Sequence, residues 1–262
     1  MLGYGYGGTP KPMDPQLYVS SLFTRDIIDI LDAEGIDQAV VVAHDCRLAN
    51  YFPERFPCLA VGYITPTFFA TPFEENLNLS KAVLGYENFG YWDFFSSDGA
   101  DQTILDHLDS FWDIVYTKDT TKMITDWSPL GALEAFITNG IRIPSVDYVT
   151  PEERAIQMEA IRQGGLAAPL SWYKIARGTL EGQDDQGIPP ENAFIHGPVF
   201  LGAALRDYVS VSAPSFLAGA LVSSNSTATI REYNSGHWVQ MALPDEVNGD
   251  LLEWIEGLGL DA

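Results

Sequence analysis

The sequence predicts an α/β protein: a mostly parallel sheet whose strands flank a large helical insertion. Three observations predict it. Over the first 67 residues, apolar runs of strand length alternate with helical periods, the pattern of a parallel sheet. From residue 68 to residue 186 the chain carries aromatics and helical spacing but hardly any strand-like run. Beyond that, strand runs return and an amphipathic helix closes the chain.

The opening Leu2 to Pro12 is glycine- and proline-rich loop. Its G-x-G-x-G-G pattern has no strand before it, so it lacks the context of a dinucleotide site. Asp14 followed by Pro15 is a cap residue with proline at the first helical position. Leu17, Leu22, Ile27, Ile28 and Leu31 then recur at helical spacing until Gly35 closes the helix. Gln38 to Arg47, Q-A-V-V-V-A-H-D-C-R, reads as a fully buried parallel strand that stops at a His and an Asp. Open α/β sheets bind ligands at the carboxyl ends of their strands. Asp45 is therefore a candidate site residue; the alternative is that it only caps the next helix. Residues 47–56 read as a short helix broken at Pro53, and Leu59 to Thr65 as a second buried strand.

Within the insertion, Asp101 to Tyr116, Gly131 to Gly140 and Thr150 to Gly164 read as helices. Thr150-Pro-Glu-Glu153 is a capping box with proline at the first helical position, and Gly164 suits the closing cap. Pro198 to Ala204 and Thr227 to Tyr233 read as strands, and Leu243 to Leu258 as the last helix. The expected organisation is a discontinuous core, residues 1–67 and 187–262, around a helical cap, residues 68–186.

Fourteen Lys and Arg against 36 Asp and Glu give a net charge of −22, which argues against nucleic acid or an anionic membrane surface as partner. Cys46 and Cys58 suggest reduced thiols and a cytoplasmic chain. No secretory leader or membrane-spanning run is expected, so the sequons at Asn78 and Asn225 carry no weight. There is no G-x-S-x-G, no H-E-x-x-H and no Cys/His cluster with metal spacing, and neither metal nor cofactor is expected. What remains are charged residues at the ends of the best strands: Asp45, Asp207 in A-A-L-R-D-Y-V, and His237 in N-S-G-H-W. Nucleophile candidate, acid, His is the chain order of α/β-hydrolases. His44, His107 and His196 read as packed or solvent-facing, His107 on the solvated face of an acidic helix.

The segments H-D-C-R-L-A-N-Y-F-P-E-R-F, F-G-Y-W-D-F-F, A-P-L-S-W-Y-K, L-R-D-Y-V and S-G-H-W, together with the opening G-Y-G-G-T-P-K-P, resemble soluble-type epoxide hydrolases of the α/β-hydrolase family, fungal ones especially. The resemblance runs over nearly the whole chain in motif order. It implies Asp45 as nucleophile, His237 as general base and Asp207 as the acid that orients it. Tyr91 of F-G-Y-W and Tyr173 of S-W-Y-K match the family's two tyrosines that hydrogen-bond the epoxide oxygen. The backbone N–H of Cys46 would be one oxyanion donor. The implied partners are a small apolar epoxide and water.

The chain also departs from the family's pattern. The first four strands and the H-G-x-P loop, which supplies the second oxyanion donor, have no counterpart. The helix after Asp45 is shortened, and Arg47 stands where a small residue is usual. The expected core is thus a partial α/β-hydrolase sheet whose Val-rich strand is an exposed edge, open to pairing with a second copy in a homo-oligomer. Losing one oxyanion donor typically costs about 10²–10³ in rate. Three alternatives stay open on the sequence: a catalytically impaired remnant, a non-catalytic binder of apolar ligands, and a haloalkane dehalogenase-like hydrolase.

Overall fold

The computed structural model describes residues 2–5, 10–44, 50–56, 58–61, 72–209 and 226–259. It divides into two compact units, Met1–Val19 with Ala70–Gly182, and Ser20–Phe69 with Gln183–Ala262.

The second unit carries the sheet. Among the described residues it has four strands, β1 (Val40–Ala43), β2 (Cys58–Val61), β3 (Val199–Ala204) and β4 (Ala228–Tyr233). They lie in that spatial order and every pairing is parallel, with Val40 opposite Cys58, Leu59 opposite Val199 and Val199 opposite Ala228. Chain order and spatial order coincide, so among the described residues β1 is an end strand.

Alternation along β1 sends Val40 and Val41 to opposite faces. Val41 packs with Ile28 and Phe56 beneath the helix Ser20–Glu34, while Val40 packs with Phe200 and Trp254 beneath the helix Pro244–Gly257. β3 is buried along its whole length, as a central parallel strand should be. β1 is not fully buried, contrary to the sequence expectation: Val42 is 55% exposed. Among the described residues β2 is its one strand neighbour, and the exposure agrees with the other expectation, that the Val-rich strand is an exposed edge.

The expected helix from Pro15 to Glu34 forms in two pieces. A 3₁₀ turn, Pro15–Tyr18, is capped by the Asp14 carboxylate, which accepts from Gln16 N at 3.0 Å. The chain then extends at Val19 (φ −62°, ψ 149°) before the helix Ser20–Glu34 begins. Tyr18 explains the interruption. It is completely buried in the first unit, edge-on to Trp172 with ring centroids 5.3 Å apart, while the helix that follows belongs to the second.

The first unit is helical. Its helices include Phe73–Leu84, Tyr91–Ser96, Ala100–Asp106, Leu108–Val115, Ala132–Thr138, Pro151–Gly164 and Ser171–Arg177. The expected Asp101–Tyr116 helix breaks at His107, whose φ of −123° and ψ of 35° leave the helical region. The capping box forms: Thr150 Oγ1 accepts from Glu153 N at 3.2 Å, and Glu153 Oε2 accepts from Thr150 N at 2.8 Å. The helix it starts is closed by Gly165, one residue beyond the expected Gly164.

The described residues of the opening segment, 2–5 and 10–12, which the sequence places in the core, belong to the helical unit. Lys11 Nζ donates to Gly164 O at 2.6 Å and Trp172 Nε1 to Leu2 O at 3.3 Å. Gly3, at φ +82°, runs so close to the chain at Ala168 and Pro169 that a side chain there would meet backbone 3.1–3.2 Å away.

Candidate active site

The site begins where β3 and β4 end. Their parallel pairing continues past the strands: Leu205 N donates to Tyr233 O at 2.9 Å and Arg206 N to Ser235 O at 2.9 Å. Arg206 Nη2 adds a bond to Asn234 O at 2.9 Å. These bonds hold the loop carrying Asp207 beside the loop carrying His237, although the two residues are 30 positions apart.

His237 Nδ1 lies 2.8 Å from Asp207 Oδ2, while Asp207 Oδ1 accepts from Val209 N at 2.9 Å. A carboxylate has only lone pairs to offer, so it selects the imidazole tautomer with its proton on Nδ1 and its lone pair on Nε2. That is the form a general base needs. Asp207 is 8% exposed, and a carboxylate so withdrawn from water requires its hydrogen bonds.

His44 completes this group; the sequence reads it as packed or solvent-facing, and it is packed against this pair. Its Nε2 donates to His237 O at 2.9 Å, and its ring lies edge-on to His237 at 4.5 Å and stacked on Trp238 at 5.7 Å. Trp238 also lies edge-on to His237, at 5.0 Å. His237 is therefore held through its ring nitrogen, its contacts with two neighbouring rings and its main chain. The clue in the sequence was position: His44 directly follows β1, at the same carboxyl edge of the sheet as Asp207 and His237. Asp45 and Cys46 lie outside the described residues. His196 Nε2 bonds Glu191 O at 2.8 Å, and His107 caps the helix Ala100–Asp106 in the other unit.

Tyr91 and Tyr173 meet within the helical unit. Tyr91 opens the helix Tyr91–Ser96, and Tyr173 sits in the helix Ser171–Arg177. Their ring centroids are 5.9 Å apart at an interplanar angle of 71°. Phe95 stands against both, 5.7 Å from Tyr91 and 4.6 Å from Tyr173, and Trp127 lies 5.2 Å from Tyr91. Edge-to-face packing of this kind fixes ring orientation as well as burying area. The result is a pair of phenols held side by side by aromatic neighbours.

Among the described residues, no three His, Cys, Asp or Glu side chains gather as a metal site would require. Among them, too, no helix is long and apolar enough to cross a membrane.

No protein-family model matches the chain. Curated proteins do. The chain is 24% identical over 261 residues to the bifunctional epoxide hydrolase 2 of Sus scrofa, covering 96% of this chain and 45% of that protein. It thus spans about half the length of that relative. It is 25% identical over 304 residues to epoxide hydrolase B of Mycobacterium tuberculosis, covering 97% of this chain and 82% of the other. The crystal structure of epoxide hydrolase A from Mycobacterium thermoresistibile superposes with a TM-score of 0.72 at 22% identity, covering 97% of this chain and 80% of that one.

Proposed function

From an α/β-hydrolase fold shared with epoxide hydrolases, we propose that this chain hydrolyses a small apolar epoxide to a vicinal diol. The observation that carries the reading is the Asp207–His237 pair, set at the ends of adjacent strands with the imidazole in the basic tautomer. Asp45, two residues past β1, is the nucleophile. A carboxylate is ionised at neutral pH and needs no base for its attack.

One Asp45 oxygen attacks a ring carbon of the epoxide, the carbon–oxygen bond breaks, and the oxygen that leaves becomes an alkoxide. Tyr91 and Tyr173 donate hydrogen bonds to it, and one phenolic proton neutralises it. The product of this half-reaction is a hydroxyalkyl ester on Asp45. His237 Nε2 then takes a proton from water, the hydroxide adds to the ester carbonyl, and the tetrahedral intermediate collapses, passing the proton of the added hydroxyl to the departing diol oxygen; the proton held by His237 returns through water to the tyrosinate left by the first half-reaction. The diol keeps the Asp45 oxygen, and Asp45 regains one from water. Asp207 stabilises the imidazolium that forms, and the Cys46 N–H supports the oxyanion. The paired phenols favour an epoxide over a haloalkane, since a departing halide has no need of two phenolic donors.

Purified protein is assayed for diol formation from styrene oxide. Turnover that disappears in Asp45→Ala supports the reading. Soluble, folded protein that neither forms diol nor acquires a covalent adduct from a panel of aryl and alkyl epoxides overturns it. Single turnover in ¹⁸O-water separates the route from direct attack by water: the label enters Asp45 first, and not the diol.

A further inference from the structure

We propose that Gly90 is a positioning residue that sets the placement of the Tyr91 phenol through its main-chain contact with Pro129 and Leu130. The inference rests on the reading of Tyr91 as a donor to the substrate oxygen. Gly90 immediately precedes the helix Tyr91–Ser96, and its torsions, φ −61° and ψ −27°, are open to any L-residue. Conformational freedom is therefore not why glycine stands there. Space is. A Cβ at Gly90 would lie 2.2 Å from Leu130 N, 2.5 Å from Pro129 C and 2.6 Å from Leu130 Cα. All three are main-chain atoms, which cannot rotate away as a side chain would. Ordinary contact begins near 3.4 Å, so any larger residue parts the two segments by about an ångström.

Hydrogen bonds draw the same segments together. Gly90 N donates to Ser128 O at 2.8 Å, and Leu130 N donates to Glu87 Oε2 at 3.1 Å. Asn88 N donates to Ser80 Oγ at 3.0 Å, tying the loop to the helix Phe73–Leu84, and Lys81 Nζ holds Glu87 Oε1 at 3.0 Å. The Leu130 N–H, and after it Lys81, hold the Glu87 carboxyl below its usual range, as expected of an acceptor in use.

The clamp reaches the phenol by a short path. Trp127 leads directly into Ser128–Leu130, and its ring lies 5.2 Å from that of Tyr91. The spacing of the two main chains thus sets the spacing of the two rings, and with it the 5.9 Å between Tyr91 and Tyr173. A donor displaced by an ångström from a developing alkoxide loses most of its effect on rate.

The test is a double-mutant cycle on the full chain with styrene oxide. Gly90→Ala is expected to lower kcat by about 10- to 100-fold with KM changed less than about threefold. In a Tyr91→Phe background the same substitution should cost less than about twofold, because the phenol it displaces is already gone. Equal losses in both backgrounds mean a general packing defect and overturn the proposal. If Tyr91→Phe itself leaves kcat unchanged, the role of Tyr91 fails, a different result from additive losses.

Should Gly90→Ala not fold, Glu87 decides. Glu87→Ala removes the acceptor for the Leu130 N–H and should lower kcat several-fold only where Tyr91 is present, while Glu87→Gln retains an acceptor and should restore it. Glu87→Ala with unchanged kcat, or a loss that persists in Tyr91→Phe, overturns the proposal. Near-UV circular dichroism of the Tyr91–Trp127 pair reads the geometry without turnover. A spectrum unaltered in Gly90→Ala and Glu87→Ala overturns it as well.

Discussion

Replacing Asp207 by Asn keeps the shape of the side chain and removes one lone-pair face, and the structure allows the consequence to be worked out atom by atom. In the native arrangement both carboxylate oxygens accept: Oδ2 from His237 Nδ1 at 2.8 Å and Oδ1 from Val209 N at 2.9 Å. An amide has one oxygen. If it turns that oxygen to Val209, its NH₂ faces His237 Nδ1, and the ring must adopt the tautomer with its proton on Nε2, which cannot act as a base. If it turns the oxygen to His237, the amide NH₂ meets the Val209 N–H, and the donor that loses its acceptor is buried at a cost of about 1–3 kcal/mol. The first orientation keeps every donor paired and is the one expected. Loss of the basic tautomer should lower kcat by about 10⁴-fold. On the proposed route attack by Asp45 needs no base, so the Asp207→Asn variant should still form the alkyl ester and then stall. Intact-mass spectrometry after mixing with excess epoxide should show the protein heavier by one substrate, decaying slowly. Turnover within tenfold of the native protein would refute the tautomer reasoning. Lost turnover with no adduct would move the defect to the first half-reaction and refute it too.

In the helical unit, Asp113 is buried and gathers Arg142 Nε at 2.6 Å, Ile143 N at 3.3 Å and Ser145 Oγ at 3.2 Å. Asp113→Ala strands these donors and should lower stability by about 2–3 kcal/mol in urea unfolding, whereas Asp109→Ala, on the exposed side of the same network, should cost under about 1 kcal/mol. Thr150→Ala removes the side-chain acceptor of the capping box and should cost about 1 kcal/mol, seen as a lower Tm, with Thr150→Ser close to the native value. Burial, and next the neighbouring Tyr116, push the Tyr148 phenol up to about 12. The folded state then holds a proton that the unfolded state releases near pH 10, so stability present below pH 10 is lost as pH rises toward 12. Tm should fall across that window, and fall less steeply in Tyr148→Phe. An identical slope in the variant would show that other groups govern alkaline unfolding.

The parts of the fold legible in the sequence are those specified by neighbours in the chain. The Thr150–Glu153 box starts a helix because the groups that satisfy its first N–H bonds lie three residues apart. β3 was legible because a short apolar run in a parallel sheet is buried on both faces. The helix Phe73–Leu84 was not singled out: it opens at Pro72 with no side-chain cap, and only Phe73, Leu77 and Ser80 of it are buried. The break at Val19 was invisible because its cause, Trp172, is more than 150 positions away. Local propensity favours one continuous helix there, and the packing of Tyr18 overrides it.

The site divides in the same way. Asp207 and His237, which the structure pairs, can be singled out from sequence because a charged residue just past an apolar strand has a reason to be there that needs no knowledge of its partner. His44 satisfies that same rule and was passed over. Its partners are a main-chain carbonyl and two rings, and none of these leaves a mark on residue type at His237 or Trp238 that points back to position 44. Gly90 is the limiting case. Its torsions are ordinary and glycine before a helix is unremarkable, so the sequence offers no ground for choosing it over the other glycines. Only the main chain of Leu130, 2.2 Å from where a Cβ would stand, shows that the position has no room for a side chain. Residues that act by what they contribute can be read from their chemistry; residues that act by what they leave out become visible only once the neighbour they admit is in view.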